Sequence, residues 1–154
     1  TFVRGATIEP IKDANRKVDR ALRGAAMAVG ADVEIVTLPG SLPLAPDDTM
    51  VGFYGKNAEK LVDPSEINPS LGHRSGSTDM GDISQIMPAI HPYAGGAVGN
   101  GHGSDYEIVD YETAAIVPAK AMAMTLVDLW CEPEILTAAR AGFLPGGPDR
   151  SVLQ

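Results

Sequence analysis

The first periodic pattern in the chain is a stripe of apolar residues spaced three and four positions apart, with charged residues on the other faces. This spacing predicts an amphipathic helix. We expect the helix to begin near Pro10, because proline suits a first helical turn. It should end at Gly30, because glycine commonly follows the last helical residue. The stripe consists of Ile11, Ala14, Val18, Ala21, Leu22, Ala25 and Val29.

The segments on either side of this helix have the composition of β-strands. Residues 1–8 (TFVRGATI) and 31–38 (ADVEIVTL) are short and rich in β-branched side chains, which favour strands. Strand, helix and strand together form half of a split β-α-β sandwich. Half a sandwich cannot close its own core, so we expect its other strands and helix to come from elsewhere. The chain also begins at Thr1 without an initiator methionine, so we expect it to be a piece of a longer protein.

A second region begins after the turn-rich segment 39–46 (PGSLPLAP), which we take as a domain boundary. Asp47 or Asp48 can cap a helix that runs to about residue 61. A short helix is predicted over residues 82–87, with an acidic residue near its start. Residues 89–97 are apolar and strand-like, although His91-Pro92 interrupts them.

The pattern near the C-terminus predicts two more helices. Asp110 can cap a long one, in which Pro118 either starts the helix proper or kinks it. A short helix is predicted over residues 134–141, and residues 144–154 have the composition of a tail. We expect the Met122, Met124 and Leu126 stripe to be core. The buried face of the long helix is predicted to consist of Ala115, Ala119, Met122, Leu126 and Leu129.

Candidate chemistry is concentrated in residues 76–106, where hydroxyl, carboxylate and imidazole side chains alternate with glycines. Glycine lets the backbone approach a ligand closely or adopt positive φ. Carboxylates and imidazoles are common in metal and hydrolytic sites. No short metal signature such as H-E-x-x-H or paired C-x-x-C is present, so the residues alone predict a site without fixing its type.

Composition narrows the possible functions. The 154 residues suit about one domain, and 44% hydrophobic content is enough for a core. A net charge of −8 and a pI near 4.7 argue against a nucleic-acid partner. The single cysteine, Cys131, fits a reducing, cytoplasmic compartment and is expected to be a packing residue. No unbroken apolar run reaches the roughly 18 residues of a membrane span, so no membrane association is expected.

Four segments, in this order, resemble the C-terminal part of a known enzyme family. They are the FVRG strand with its helix, GSTDMGDIS, the glycine-flanked histidine in GNGHGSDYEI, and PAKAMAMTLVDL. Together they are similar to the metallo-amidohydrolases and metallopeptidases that include aminoacylases, carboxypeptidase G and the aminobenzoyl-glutamate hydrolases. The similarity covers about residues 2–143 and is greatest to the aminobenzoyl-glutamate hydrolases.

The resemblance implies an α/β fold in which an α+β lid domain is inserted into an α/β catalytic domain. Residues 1–40 would be the second half of the lid, and residues 41–143 the closing part of the catalytic domain. Such enzymes hold two metal ions, usually zinc, and form homodimers through the lid. Their H-x-D and Glu-Glu motifs, which supply metal ligands and the general base, do not occur in this sequence. The chain is therefore expected to be a fragment of a two-domain hydrolase, inactive in isolation.

The resemblance also assigns roles to individual residues. His102 matches the last metal-ligand histidine, although an isolated loop histidine is more often a surface residue. Ser77, Thr78 and Asp79 match a turn beside the substrate, or else simply form a capped turn. Arg4 matches an arginine that binds a substrate carboxylate, a task suited to a planar guanidinium; otherwise it is an exposed strand residue. Weaker candidates for supporting positions are His91, which we expect to pack at a strand end, Asp82 and Asp105.

The implied reaction of the intact enzyme is hydrolysis of the amide in an N-acyl or N-aroyl amino acid, or in a short peptide, with a free carboxylate on the substrate. A different class of function stays open. The chain could be a non-catalytic dimerisation or small-ligand binding module, because the motifs named above are missing. Retention of GSTDMGDIS and His102 favours the enzyme, since a pure interaction module has no need of them.

Overall fold

In the computed structural model, which describes residues 1–68 and 76–143, about half of the chain is helical. The helices are α1 (Ile8–Ala28), α2 (Asp48–Ala58), α3 (Met80–Ser84), α4 (Val117–Cys131) and α5 (Pro133–Gly142). A 3-10 turn covers Pro64–Glu66, and a π-helical segment, Glu112–Ile116, leads into α4. The predicted 144–154 tail lies outside the described residues.

The described sheet is small. β1 (Ala97–Val98) and β2 (Glu107–Ile108) pair antiparallel, with Ala97 opposite Ile108. The fold is therefore mixed α/β, as predicted, but the strands expected at residues 1–8 and 31–38 are not formed. The predicted strand over 89–97 is reduced to its last residue. Strand formation needs a partner in register, and none of the described residues pairs with these segments.

α1 has the predicted amphipathic pattern but little to pack against. None of its residues is buried, and Leu22 and Met27 are 40% and 81% exposed. The helix ends as predicted, because Gly30 has a φ of 68° and its amide donates to the Met27 carbonyl. The intrinsic pattern of the sequence is thus sufficient to form this helix, while its apolar face is half-buried at Ile11, Ala14 and Val18 and exposed from Ala21 onward.

The described core lies where α2, α4 and α5 pack on one another. α2 is capped by Asp47, whose carboxylate accepts the Met50 amide at 2.9 Å, as predicted. The buried apolar side chains are mostly alanines, which lets the helices approach closely. They are Ala58, Ala89, Ala121, Ile135 and Ala139.

The buried face of α4 differs from the prediction. Ala121 and Thr125 are buried, whereas Met122 and Leu126 are 38% and 59% exposed. The reason is a polar contact with α2. The buried Asn57 amide donates to Thr125 Oγ1 at 3.2 Å and to Asp128 Oδ2 at 2.6 Å. These hydrogen bonds turn the Thr125 face inward and leave the Met122 and Leu126 stripe outside.

Two further expectations about the C-terminal helices are corrected or completed. Cys131 is exposed and is therefore not the packing residue expected. Pro118 lies in the first turn of α4, so it starts the helix proper.

The joined helix Glu112–Cys131 is long and apolar enough to cross a bilayer by length and composition, a weak indication by itself, and 11% of its most apolar window is buried. The sequence prediction concerned unbroken apolar runs, and this helix is interrupted by Lys120 and Asp128.

The chain has more surface than a compact protein of its mass. Its accessible area is 11220 Å² for 16.1 kDa, whereas a compact monomer of that mass exposes roughly 7,400 Å². Large apolar side chains contribute, among them Trp130 at 88% and Phe2 at 87% exposure. A surface of this kind is typical of polypeptide that packs against further protein.

Candidate functional site

The described structure contains a cavity of about 670 Å³. Its walls come from residues 2–6, from the linker 40–46, from α2 and the turn that follows it, and from residues 76–78 and 90–95. The volume is in the range of small-molecule binding sites. Segments that are far apart in sequence thus meet around one space, which makes this cavity the candidate functional site.

Arg4 reaches the cavity from the stretch that precedes α1. Its guanidinium carbon lies 5.4 Å from the centroid of the Phe2 ring, a cation–π distance. The adjacent Gly5 sits close to α1, because a Cβ there would lie 3.2 Å from Ile11 Cγ1. Arg4 is exposed, which agrees with the alternative prediction of an exposed residue, and it also lines the cavity, where it could meet a ligand.

The Ser77-Thr78-Asp79 turn is divided between the cavity and α3. Ser77 and Thr78 line the cavity, whereas Asp79 is exposed and outside its wall. Thr78 Oγ1 donates to Asp79 Oδ1 at 3.2 Å and accepts the Met80 amide at 3.3 Å. Ser77 and Thr78 are thus part of the cavity wall, and the Thr78 hydroxyl also binds the first amide of α3.

The linker 41–46 is fastened to α3 by three side chains, which we call the linker clamp: Asp82, Ser84 and Gln85. Asp82 Oδ1 accepts the Leu42 amide at 2.7 Å, and Ser84 Oγ accepts the Ala45 amide at 3.0 Å. Gln85 Nε2 donates to the Pro43 carbonyl at 2.5 Å. Asp82 was expected to be a cap or a supporting residue; the structure shows that it holds the linker, which is one wall of the cavity.

Beneath the linker clamp, Gly81 allows the backbones to touch. A Cβ at Gly81 would overlap the Leu42 carbonyl oxygen and lie 2.9 Å from its carbonyl carbon. Gly81 is buried, so no side chain has room there. The second glycine in GSTDMGDIS, Gly81, is therefore required by the contact between α3 and the linker.

His91 lines the cavity instead of packing at a strand end, because no strand forms around it. Its Nδ1 is buried without a hydrogen-bond partner in the described structure. Its ring meets the Tyr93 ring edge-on, with centroids 5.4 Å apart at 72°. Tyr54 also lines the cavity, and burial raises the pKa of its hydroxyl above the ordinary value of 10.0.

His102 lies elsewhere, in the turn between β1 and β2, and does not line the cavity. It is exposed and has a φ of 66°, the left-handed region that residues other than glycine seldom adopt. The turn is held by Asp105, which accepts from the Asn100 amide at 3.4 Å and from Asn100 Nδ2 at 3.0 Å. Asp105 therefore shapes the loop that carries the histidine.

A metal site needs more ligands than this part of the chain supplies. Among residues 1–68 and 76–143, no three histidine, cysteine or acidic side chains are grouped so that they could hold an ion. A zinc ion takes about four ligands, and His102 is one imidazole whose acidic neighbour Asp105 is engaged with Asn100. The residues described do not by themselves fit a two-zinc centre.

Comparison with known proteins identifies two similar sequences. The chain is 30% identical over 149 residues to an enzyme named Xaa-Arg dipeptidase from Mus musculus, and 30% identical over 149 residues to the Homo sapiens enzyme of the same name. Each match includes 92% of this chain. This similarity supports a metallopeptidase or amidohydrolase family.

The metallopeptidase relatives are much longer than this chain, which spans 35% of the mouse sequence and 34% of the human one. No protein-family profile and no solved structure matches the chain. The similarity therefore applies to about a third of each relative, and their complete activity cannot be transferred with it.

Sequence reasoning missed several residues that form the cavity. Tyr54 lies in a predicted helix, Leu42 lies in the predicted domain boundary, and Glu66 lies in a stretch for which the sequence predicts no helix or strand. A signal existed for Glu66. The preceding Asp63-Pro64-Ser65 is a strong turn sequence, and Asp63 Oδ1 accepts from the Ser65 amide at 2.8 Å and from the Ser65 hydroxyl at 2.7 Å.

Proposed function

We propose that this chain is part of a metal-dependent amidohydrolase or dipeptidase. The enzyme would cleave the amide of an N-acyl or N-aroyl amino acid, an aminobenzoyl-glutamate-like compound or a short peptide. The observation that carries this proposal is the convergence of Arg4, Ser77 and Thr78 on one cavity, combined with similarity to dipeptidases over most of the chain.

Within the cavity, the proposed task of Arg4 is to bind the substrate carboxylate through paired N–H donors. The hydroxyls of Ser77 and Thr78 are placed to bond other substrate oxygens. The apolar part of the wall, which includes Phe2 and Val62, suits an acyl group or side chain. Because the relatives are named for peptides that end in arginine, a dipeptide with C-terminal arginine is also a candidate substrate here.

The proposal includes polypeptide beyond the described residues. The two metal ions, proposed to be zinc, would have His102 as one ligand, with the remaining ligands and the general base supplied from outside this chain. The large exposed surface and the short span relative to the dipeptidases support this division. The chain alone would then be inactive. We also propose that the protein is cytoplasmic and forms a homodimer through residues 1–40, whose apolar side chains are mostly exposed.

A second function, a non-catalytic dimerisation or small-ligand binding module, is favoured by one observation. His102 and the cavity-lining residues belong to separate places in the described structure, and no metal-binding group surrounds His102. A cavity with an arginine and hydroxyls could bind a carboxylate without cleaving anything.

The test compares the intact protein that contains this sequence with the 154-residue chain, using N-benzoyl amino acids and dipeptides with zinc supplied. The intact protein should hydrolyse them and lose activity on chelation, and the chain alone should not. Changing Arg4→Ala should raise KM by about ten- to a hundredfold, since a charge-assisted hydrogen bond contributes about 1.5–3 kcal/mol. Arg16→Ala is the matched control, because Arg16 lies on α1 away from the cavity.

The two functions give different results in this experiment. Binding of N-benzoyl amino acids and dipeptides by the intact, zinc-supplied protein, with hydrolysis of neither, would establish the module and end the enzyme proposal. His102→Ala should reduce bound zinc, measured by elemental analysis, while Ser104→Ala in the same turn should leave it unchanged. Full zinc content in the His102 variant would remove that residue from the metal site.

A further inference from the structure

The cavity contains two fully charged side chains of opposite sign among the described lining residues. Arg4 is the cation, and Glu66 is the carboxylate. They come from separate parts of the chain: Arg4 precedes α1, and Glu66 ends the 3-10 turn after α2. The rest of the described wall is apolar or uncharged, so a ligand inside meets one centre of each charge.

The position of Glu66 is fixed by the turn that carries it. Asp63 caps the turn through the Ser65 amide and hydroxyl, and the Glu66 amide donates to the Asp63 carbonyl at 2.9 Å. These hydrogen bonds involve Asp63, Ser65 and the Glu66 backbone amide, and none of them involves the Glu66 side chain. Among the described residues, its carboxylate accepts no hydrogen bond and forms no ion pair.

The neighbours of Glu66 give the subsite an amphipathic character. Val62 and Ile67, on either side of it in sequence, line the same cavity and are half-buried. A long side chain with an apolar stem and a cationic end suits such a wall, since lysine and arginine lay their methylene groups on apolar surface while the charge stays hydrated. A short or anionic side chain gains neither contact.

We propose that Glu66 determines substrate specificity by binding the cationic side chain of a basic residue whose carboxylate is held by Arg4. This inference rests on the proposed function, because it gives the amino acid bound in the same cavity. The ligand class is an N-acylated basic amino acid, or a dipeptide that ends in one. Glu66 takes no part in bond cleavage; it contributes affinity for the side chain.

The experiment measures binding to the intact protein by isothermal titration calorimetry with two nearly isosteric probes. N-benzoyl-arginine has a guanidinium where N-benzoyl-citrulline has a neutral ureido group, so their affinity ratio isolates the charge. An exposed ion pair contributes up to about 1 kcal/mol, so the unchanged protein should prefer the arginine compound by about fivefold. Glu66→Gln should reduce this ratio to about one.

Two controls make the result specific. Glu59→Gln changes an equally exposed carboxylate just past the end of α2 that does not line the cavity, and it should keep the fivefold ratio. Glu66→Lys should reverse the preference, so that N-benzoyl-glutamate binds better than N-benzoyl-arginine. Circular dichroism spectra of the variants should match that of the unchanged protein, because the exposed Glu66 side chain takes part in no described bond.

The outcomes separate this inference from the proposed function. If the arginine and citrulline compounds bind equally to the unchanged protein and are both hydrolysed, Glu66 selects nothing and the hydrolase proposal stands. If neither compound binds but the intact protein hydrolyses dipeptides, the inference fails and the hydrolase proposal stands. If dipeptides are not hydrolysed either, both proposals fail. A preference for arginine that survives Glu66→Gln would assign the recognition to another group and overturn the inference.

Discussion

The contact between Gly81 and the linker gives the sharpest prediction about stability. In Gly81→Ala the new methyl group would overlap the Leu42 carbonyl oxygen and lie 2.9 Å from the carbonyl carbon, where ordinary contacts are roughly 3.5–4.0 Å. The neighbour is backbone and cannot rotate away. The linker must therefore move by about 1 Å or more, or α3 must shift by the same amount.

The cost of that shift follows from the bonds it breaks. Overpacking a close contact costs about 1–3 kcal/mol, and each clamp hydrogen bond from Asp82, Ser84 and Gln85 contributes about 0.5–1.5 kcal/mol net. We expect Gly81→Ala to lower the free energy of unfolding by about 2–4 kcal/mol. The loss should be accompanied by faster hydrogen exchange at the Leu42 and Ala45 amides.

Gly52→Ala is the matched control, because Gly52 lies within α2 and a Cβ there meets nothing within 4 Å. Replacing an open helical glycine by alanine stabilises by about 0.5–1 kcal/mol. The urea concentration at the midpoint of unfolding of the intact protein, followed by circular dichroism, should therefore fall for Gly81→Ala and rise for Gly52→Ala. A Gly81→Ala protein as stable as the unchanged one, with unaltered exchange at Leu42, would refute the close contact.

Two other perturbations test the interior. Asn57→Ala should lower the free energy of unfolding by about 1–3 kcal/mol, because it leaves Thr125 and Asp128 without their buried donor. The control Asn15→Ala, on α1, should change the free energy of unfolding by less than about 0.5 kcal/mol. Equal effects of the two substitutions would contradict the buried hydrogen bonds of Asn57. The pKa of Tyr54 is raised by burial, so the unfolded chain loses this proton first, and stability should fall as pH rises above about 10. Tyr54→Phe should weaken that alkaline decline in thermal melting, and an unchanged decline would contradict the burial of Tyr54.

The sequence predicted the parts of the fold that depend on neighbours along the chain. The amphipathic stripe of α1, the Gly30 terminus and the Asp47 cap are local signals, and the structure has all three. The prediction of strands at residues 1–8 and 31–38 is wrong, because strand pairing needs a partner that is distant in sequence. Their β-branched composition sets a preference for extended structure and cannot supply that partner.

The orientation of α4 and the shape of the site depended on long-range polar contacts that periodicity does not encode. The apolar pattern pointed to Met122 and Leu126, but Asn57 binds Thr125 and so buries a face that lies about 100° around the helix. Similarly, the resemblance brought Arg4, Ser77 and Thr78 to attention, and the structure places them around one cavity. It gave no indication that His102 would stand apart from them, or that Asp82 would bind the linker.

The linker clamp also determines where the molecule can bend. Leu42, Pro43 and Ala45 each form a hydrogen bond with Asp82, Ser84 or Gln85. These bonds restrain backbone rotation in the linker from residue 42 onward. Just before it, a Cβ at Gly40 would meet nothing within 4 Å, and the preceding residues 31–39 belong to no helix or strand. Movement of α1 and Arg4 relative to Ser77 and Thr78 would therefore have to arise in residues 31–40, because residues 42–45 are bonded to the same part of the chain as those two residues.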